Sequence, residues 1–476
     1  MRPVAAGARA GRIFCAPSML TTAEPMIQFD DRSQRNPSTG TGRRLLRGAA
    51  LACALFLAGA CLPLRFASAA ATTPAWVSTW TAASQPPLPG TTDHYHGESL
   101  RLIVHISAGG SQVRVRLSNR YGDTPLTIGT ARLARRAAEA NIDPPSDRAL
   151  TFSGKSAVVL PAHATALSDP VRLEVGALSD LAVSLYLPEA VQATTVHVLA
   201  QQTSYVSRPG DATGAASFPV ARRIDSWPFL AEVQVEATPG MFAIVAFGDS
   251  LVDGDGSTAD ANRRWPDALA ARLQHTGRNV AVLNAGLIGN RLLHDSPSDS
   301  RFGKALGESG LERFQRDALE RAGVKLIIVR IGSNDLGFPN ALAPKSEPAA
   351  VDDLIAGYQR LIAQAHQHGL GIMGTTIPPF ENIDIPDYFT PARDAMRQQV
   401  NAWILSKHGF DAVLDFDRIL RDPTHPARLL PAYDSGDHLH PNDAGYSAVA
   451  AALSLSTLDE LASLSAAGPS IAERRG

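Results

Sequence analysis

Ser250 stands where a strand of a parallel sheet would present a side chain for chemistry. Residues 243–247, Ala-Ile-Val-Ala-Phe, form an apolar run typical of a buried strand, and Gly-Asp-Ser-Leu follows at 248–251. Loops that leave the carboxyl ends of such strands line the crevice of an open α/β sheet, so Ser250 is positioned as a nucleophile. An ordinary strand-ending turn is the alternative, because turns favour the same residue types.

A histidine and an aspartate near the end of the chain could activate this serine. A serine hydroxyl needs a base to remove its proton, and His440 is the candidate because histidine titrates near neutrality. Asp437 lies three residues earlier, a spacing that puts both side chains on one face of a helical turn and lets the carboxylate orient the imidazole. Alternatively, Asp437 caps a helix after Pro441, although Asn442 and Asp443 are equally suitable caps.

Four ordered blocks carry a resemblance to a known family. They are Gly248–Leu251, Asn284–Asn290, Gly332–Asp335 and Asp437–Asn442. In this order they resemble the SGNH hydrolases, also called the GDSL esterase/lipase family, over residues 243–464. Four blocks in sequence are far more specific than any single one of them.

The resemblance implies the roles of five residues. It implies a catalytic triad of Ser250 as nucleophile, Asp437 and His440. It also implies an oxyanion hole made by the backbone amides of Ser250 and Gly289 and by the side-chain amide of Asn334. Such a donor typically stabilises the transition state by about 2.7 to 4 kcal/mol.

A metal centre is the alternative for the acidic residues that follow Ser250. The run Asp-Gly-Asp-Gly at 253–256 resembles part of a calcium loop, but the twelfth position counted from Asp253 is Arg264, where an acid is needed. The sequence has no His-Glu-x-x-His and no paired-cysteine zinc spacing. We therefore expect neither a metal nor another cofactor.

Strand and helix patterns alternate between residues 241 and 464. Strand-like segments lie near residues 243–247, 279–284, 326–331, 370–376 and 412–416. Helical stripes separate them, the strongest running from Val351 to Ala365. Helical crossovers imply a parallel sheet covered on both faces. The expected fold class is α/β, with a flavodoxin-like doubly wound parallel five-stranded sheet of the SGNH hydrolase type.

Residues 74–237 instead show a period of two. Leu102, Val104 and Ile106 alternate with polar neighbours, a Gly-Gly pair follows at 109–110, and a second alternating run begins at Val113. This pattern predicts a β-hairpin within an all-β sandwich or jelly-roll domain.

The aromatic residues of this region have two interpretations. Trp76, Trp80 and Tyr95, with His94 and His96, could form a sugar-binding face, since aromatic rings stack on sugars. Packing inside the protein is the commoner fate of such rings and is the interpretation that we favour.

The first 69 residues carry the pattern of an export signal. Arg-Arg-Leu-Leu-Arg at 43–47 precedes an apolar core at about 48–64, and Ala-Ser-Ala follows at 67–69. The core is shorter than the roughly 20 residues of a spanning helix, so no stable membrane insertion is expected after signal removal. Twin-arginine export and a lipoprotein site at Cys61 are alternatives. A secreted or periplasmic location is expected.

Length and charge narrow the function classes. A chain of 476 residues is long enough for two domains after a leader is removed. Its 44 basic and 46 acidic residues nearly cancel, so the composition does not indicate a nucleic-acid-binding protein. All three cysteines lie within the leader, so the mature chain would hold no disulfide. The expected organisation is a leader (1–69), a β-sandwich domain (74–237), an SGNH hydrolase domain (241–464) and a tail (465–476).

The sequence as a whole predicts an exported serine esterase that hydrolyses carboxylic esters through an acyl-enzyme. The β-domain suggests, by analogy, acetyl groups on carbohydrate as the substrate. One alternative is a lipase or lysophospholipase of the same family. Another is a non-catalytic carbohydrate-binding surface protein with a degenerate hydrolase domain.

Overall fold

The computed structural model describes residues 75–297, 301–406 and 409–464. The predicted export signal, all three cysteines and the tail lie outside these ranges. The described residues belong to one compact unit. Within them, no helix combines the length and apolar character required to span a membrane.

Residues 75–241, all of which the structure describes, are rich in strands and contain one short 3₁₀ turn, Pro144–Ser146, as their helical element. The strands are β1 (Trp76–Thr81), β2 (His94–Tyr95), β3 (Glu98–Ile106), β4 (Gly110–Ser118), β5 (Leu126–Ile128), β6 (Thr130–Ala138), β7 (Asn141–Ile142), β8 (Arg148–Leu150), β9 (Val158–Leu160), β10 (Thr165–Leu167), β11 (Val171–Val175), β12 (Ser179–Leu187), β13 (Val191–Gln192), β14 (Ser204–Ser207), β15 (Val220–Ile224) and β16 (Leu230–Glu236). The predicted strand-rich character of this region is confirmed.

Two larger antiparallel sheets organise these strands. One has the order β1-β16-β4-β10, with β11 also on β4, and the other has the order β15-β14-β3-β12-β6-β7, with β8 on β6. The predicted β-hairpin is wrong, because β3 pairs with β12 and β14 while β4 pairs with β16. A Cβ at Gly109 would lie 2.3 Å from the carbonyl oxygen of Val175. The glycine pair therefore lets the chain cross between sheets instead of turning back.

The aromatic residues of this region mostly serve packing. Trp80 is 6% exposed and packs edge-on against Trp227, with ring centroids 4.9 Å apart, and Tyr95 is 1% exposed. His94 and His96 lie at the surface. The packing interpretation is thus confirmed for Trp80 and Tyr95, whose rings are not available as a platform for sugars.

A parallel five-stranded sheet follows in the chain. Its strands are β17 (Phe242–Gly248), β18 (Val280–Gly286), β19 (Val324–Arg330), β20 (Gly371–Thr375) and β21 (Ala412–Leu414). All neighbours are parallel, and the order is β18-β17-β19-β20-β21. The strand order reverses beside β17, and ligands of open α/β sheets bind at the carboxyl ends of strands at such a switch point.

Long and very short helices connect these strands. They are α1 (Ser250–Asp253), α2 (Trp265–His275), α3 (Gly310–Phe314), α4 (Ser333–Gly337), α5 (Val351–Gln367), α6 (Pro391–Leu405), α7 (Phe416–Leu420), α8 (Asp443–Ala452) and α9 (Leu455–Leu464), with a π-helical turn at Gln315–Leu319. The helical stripe expected between Val351 and Ala365 is confirmed as α5. The short helices α1, α4 and α7 were not expected, because one turn shows no apolar period.

Hydrogen bonds join the strand-rich region to the parallel sheet. The amide of Ser78 in β1 donates to the carbonyl of Ala322 at 2.9 Å, near the amino end of β19. The hydroxyl of Thr81 donates to the carbonyl of Asn284 at 2.9 Å, near the carboxyl end of β18. Strand β1 therefore runs beside the sheet towards the edge at which Ser250 lies.

Candidate active site

The structure brings Ser250, His440 and Asp437 into one chain of hydrogen bonds. Oγ of Ser250 lies 2.7 Å from Nε2 of His440, and Nδ1 of His440 lies 2.7 Å from Oδ2 of Asp437. The first two residues are 3% and 1% exposed. A hydroxyl, an imidazole and a carboxylate in this order have the geometry of a serine triad.

Backbone amides of the turn that follows Asp437 orient its side chain. Its Oδ1 accepts the backbone amides of Leu439 at 3.0 Å and His440 at 2.9 Å, which leaves Oδ2 for the imidazole. The capping alternative for Asp437 is wrong, because the Asn442 side chain caps α8 by accepting from the amides of Ala444 and Gly445. Both oxygens of the Asp437 carboxylate are therefore hydrogen-bonded, one to the imidazole of His440 and the other to backbone amides of the same turn.

The strand-to-helix turn after β17 presents Ser250. Oδ1 of Asp249 accepts the amide of Leu251 at 3.1 Å, so this side chain caps α1 and orders the turn. The turn is tightly enclosed, since a Cβ at Gly286 would lie 2.1 Å from the nitrogen of Asp253. As the first residue of α1, Ser250 has a backbone amide without an acceptor inside the helix.

Gly289 and Asn334 lie on the loops that follow β18 and β19. Gly289 has a φ of +68°, which glycine adopts without strain. Nδ2 of Asn334 donates to the carbonyl of Asn290 at 3.0 Å, and Oδ1 accepts from the hydroxyl of Tyr388 at 2.9 Å. Because a carbonyl can only accept, this pattern fixes the orientation of the amide and leaves a second N–H on Nδ2.

Two buried arginines, neither singled out from the sequence, tie the blocks together. Nη1 of Arg330 lies 3.2 Å from Oδ2 of Asp249, and its Nη2 donates to the hydroxyl of Ser333 at 2.7 Å. This arginine therefore joins the first block to the third. One signal existed in the sequence, since Arg330 directly follows the apolar run at 326–329.

The second arginine, Arg313, joins the first block to the second. It donates through Nη2 to the carbonyl of Gly248 at 2.6 Å and through Nε to Oδ1 of Asn290 at 2.9 Å. It is fully buried, and Asp317 lies 3.3 Å from Nη1. Nothing in the local sequence distinguishes Arg313 from a surface arginine of an amphipathic helix.

A second carboxylate faces the histidine. Oδ2 of Asp255 lies 3.8 Å from Nε2 of His440, and burial raises the pKa of Asp255. Burial alone would lower the pKa of His440, but the charges of Asp255 and Asp437 outweigh it and raise that pKa to about 9. Burial by itself would raise the pKa of Asp437, but the neighbouring imidazole of His440 holds that pKa well below the usual range.

In the described part of the chain, no group of three or more His, Cys, Asp or Glu side chains is arranged to hold a metal ion. Asp255, considered from the sequence only as part of a calcium loop, instead acts on the electrostatics of His440. His438 lies at the rim, with its ring beside Asp434 and its side chain 45% exposed.

The family comparison agrees with this geometry. Residues 246–448 match the model of the GDSL-like Lipase/Acylhydrolase family. They form a GDSL-like lipase/acylhydrolase domain. The predicted resemblance is thereby confirmed, and the protein is a hydrolase that acts on ester bonds. All five residues to which the resemblance gave roles lie inside the GDSL-like domain.

Several solved structures are similar to this chain. An aryl esterase from M. smegmatis is 18% identical, with 46% of this chain and 99% of that chain covered and a TM-score of 0.36. A GDSL-like lipase from Bacteroides thetaiotaomicron is 14% identical, with 46% and 89% covered and a TM-score of 0.32. Est24, a carbohydrate acetylesterase from Sinorhizobium meliloti, is 15% identical, with 47% and 99% covered and a TM-score of 0.33. Among curated proteins, none matches the chain.

Proposed function

We propose that the protein is an exported serine esterase that hydrolyses carboxylic esters through an acyl-enzyme. Ser250 is the nucleophile, His440 the base and then the acid, and Asp437 orients the imidazole. The observation that carries the proposal is the pair of 2.7 Å hydrogen bonds that links these three side chains.

Acylation follows from these contacts. Oγ of Ser250 attacks the ester carbonyl carbon while its proton passes to Nε2 of His440, and the carbonyl oxygen becomes an oxyanion. The carbon–oxygen bond to the alcohol then breaks, and the leaving alkoxide takes the proton from Nε2. Asp437 stabilises the imidazolium that exists between these two transfers.

Deacylation repeats the steps with water. His440 takes a proton from a water molecule that attacks the acyl carbon, and returns it to Oγ of Ser250 as the acid leaves. In both steps the amides of Ser250 and Gly289 and Nδ2 of Asn334 are the proposed donors to the oxyanion. The bond from Tyr388 supports this role, because it holds the Asn334 amide in place before the charge develops.

For the substrate, we propose acyl esters of a polar alcohol, with acetylated carbohydrate as the specific case. A cavity of about 1000 Å³ opens beside the loop that carries Gly289, and charged side chains line much of it. Its lining includes Arg120, Arg291, His294, Lys304, Glu308 and Glu347. We place the substrate partly in this cavity, where a long acyl chain would have to desolvate these charges and sugar hydroxyls could hydrogen-bond to them.

The proposal includes the finer assignments of fold and location. The strand order β18-β17-β19-β20-β21 supports a flavodoxin-like doubly wound sheet, which has the order 2-1-3-4-5. The two antiparallel sheets of the strand-rich region support a β-sandwich. Export to the periplasm or medium rests on the leader sequence.

A fluorophosphonate probe tests the proposed nucleophile. We expect the full-length protein to be labelled and the Ser250→Ala variant to remain unlabelled, because the probe requires an activated hydroxyl. The matched control is Ser463→Ala, at an exposed position of α9, which should label like wild type. An unlabelled wild-type protein would favour a binding protein over an enzyme.

A series of p-nitrophenyl esters tests the acyl group. Turnover should be highest for acetate and should fall as the acyl chain lengthens, and acetate should be released from an acetylated sugar. A rate that rises with chain length would instead identify the lipase or lysophospholipase alternative.

A further inference from the structure

A second histidine–aspartate pair lies behind the proposed active site. His197, on the connection between β13 and β14, is 2% exposed, and its Nε2 lies 2.9 Å from Oδ1 of Asp253. Its ring stacks on Trp227, with centroids 5.5 Å apart. Asp253 is the last residue of α1, the helix that begins with Ser250. The strand-rich region thus reaches the far end of the turn that presents the nucleophile.

The other oxygen of Asp253 holds the loop that carries Gly289. Oδ2 accepts the backbone amide of Ile288 at 3.0 Å. The peptide that links Ile288 to Gly289 contains the amide proposed as an oxyanion donor. One carboxylate therefore connects the helix of Ser250 to the loop of Gly289.

The surroundings of His197 require its ring nitrogens to donate. Nδ1 lies 2.8 Å from the carbonyl oxygen of Ala83, and Nε2 also lies 3.2 Å from the carbonyl oxygen of Leu199. Carbonyl oxygens only accept, so Nδ1 carries a proton, and a proton on Nε2 allows the bond to Asp253. Burial by itself would lower the pKa of His197, but the charge of Asp253 and these hydrogen bonds raise it.

We propose that His197 is a positioning residue for the esterase reaction. Through Asp253 it fixes the position of the Ile288 and Gly289 backbone relative to Ser250. The proposed oxyanion donors are thereby kept in the correct relative positions. The inference rests on the proposed function. It makes the strand-rich region part of the catalytic unit rather than a separable binding module.

The local structure explains why such support is needed. Helix α1 is a single turn, and helices of this length are not stable by themselves. Residues 287–293 form a loop without a regular ladder of hydrogen bonds. Since a displacement of about 1 Å in an active site can lower the rate by about 10²-fold, both segments need an external anchor.

Two near-isosteric variants, His197→Gln and Asp253→Asn, test the inference. Each removes the ionic pairing but little volume. We expect kcat for p-nitrophenyl acetate to fall by about tenfold with KM within about twofold, because the contact acts on transition-state donors. The inhibition constant for phenylboronic acid, whose adduct with serine mimics the tetrahedral intermediate, should rise in parallel with the loss in kcat.

The boronic acid measurement separates positioning from folding. Its inhibition constant depends on the geometry of active molecules and not on how many are folded, so partial misfolding of a variant leaves it unchanged. Ser78→Ala is the matched control. It removes the Oγ that accepts the amide of Ala322 at 3.1 Å, at the opposite edge of the sheet, and should keep the wild-type constant.

The outcomes are distinct. Unchanged boronic acid constants in both variants, with kcat reduced only by the fraction of active sites lost, would overturn the positioning role. The same increase of the boronic acid constant in Ser78→Ala would overturn the positioning role as well. It would show that weakening any contact between the two regions raises the constant. A wild-type protein that hydrolyses no ester would overturn the proposed function itself.

Discussion

The two ends of helix α1 meet two histidine–aspartate pairs from different regions of the molecule. At the first end, Ser250 contacts His440, which Asp437 orients from three residues away. At the last end, Asp253 contacts His197 of the strand-rich region, 56 residues earlier in the chain. Both rings are buried, and both histidine pKa values are raised.

The two pairs differ in the groups that the ring nitrogens of each histidine face. Nε2 of His440 faces the hydroxyl of Ser250, which can donate, so the ring can receive a proton. The nitrogens of His197 face two carbonyls and a carboxylate, which accept. The same residue types therefore suit acid–base chemistry in one place and a fixed structural contact in the other.

The largest contrast between the pairs should appear when each carboxylate is replaced by its amide. Asp437→Asn should lower kcat by about 10⁴-fold, because the imidazole loses its oriented tautomer. Asp253→Asn should lower it by only about tenfold. Steady-state kinetics with p-nitrophenyl acetate measures both, with the rim variant His438→Ala as a control at wild-type rate. Equal losses in the two amide variants would contradict the distinction.

An intermediate effect is expected at the donor side of the active site. Asn334→Ala should lower kcat by about 10²- to 10³-fold with little change in KM, because it removes a proposed donor to the oxyanion. Tyr388→Phe leaves Asn334 in place but removes its orienting bond, and should have a smaller effect of the same kind. A change confined to KM would assign Asn334 to substrate binding instead.

The pH dependence distinguishes a titrating base from a structural contact. As a base, His440 must be neutral, so kcat/KM should rise with pH through its pKa of about 9. The negative charge of Asp255 favours the imidazolium, so Asp255→Asn should move this rise to lower pH by about one unit. His197→Gln should leave its position unchanged. A rise centred at the same pH in Asp255→Asn would remove Asp255 from the electrostatics of the base.

The smallest effect concerns stability. The folded pKa of His197 is raised above the unfolded value of about 6.5. Its pairing therefore stabilises the fold fully below about pH 6.5 and loses that contribution as pH rises through the folded pKa. The difference in Tm between wild type and His197→Gln should accordingly be largest in acid and shrink towards alkaline pH. A difference that grows with pH would show that the ring is neutral in the fold.

Chain-local patterns made much of the α/β region predictable. All five parallel strands follow from apolar runs, and helix α5 follows from the helical stripe between Val351 and Ala365. Asp437 and His440 were paired from a spacing of three residues, and the structure places them together with Ser250. Their catalytic roles, like those of the oxyanion donors, remain predictions for the experiments above.

The sequence by itself determined the five parallel strands, the long helix α5 and the strand-rich character of residues 75–241, because periods of two and 3.6 are properties of neighbouring residues. The four blocks of the site were identified by their resemblance to a known family. Only the tertiary structure decided that β3 and β4 belong to different sheets, that Arg313 and Arg330 are buried between the blocks, and that His197 reaches Asp253. These contacts join residues far apart in the chain. When distant segments bury a polar side chain, the sequence around that side chain shows no periodic pattern that would reveal the burial.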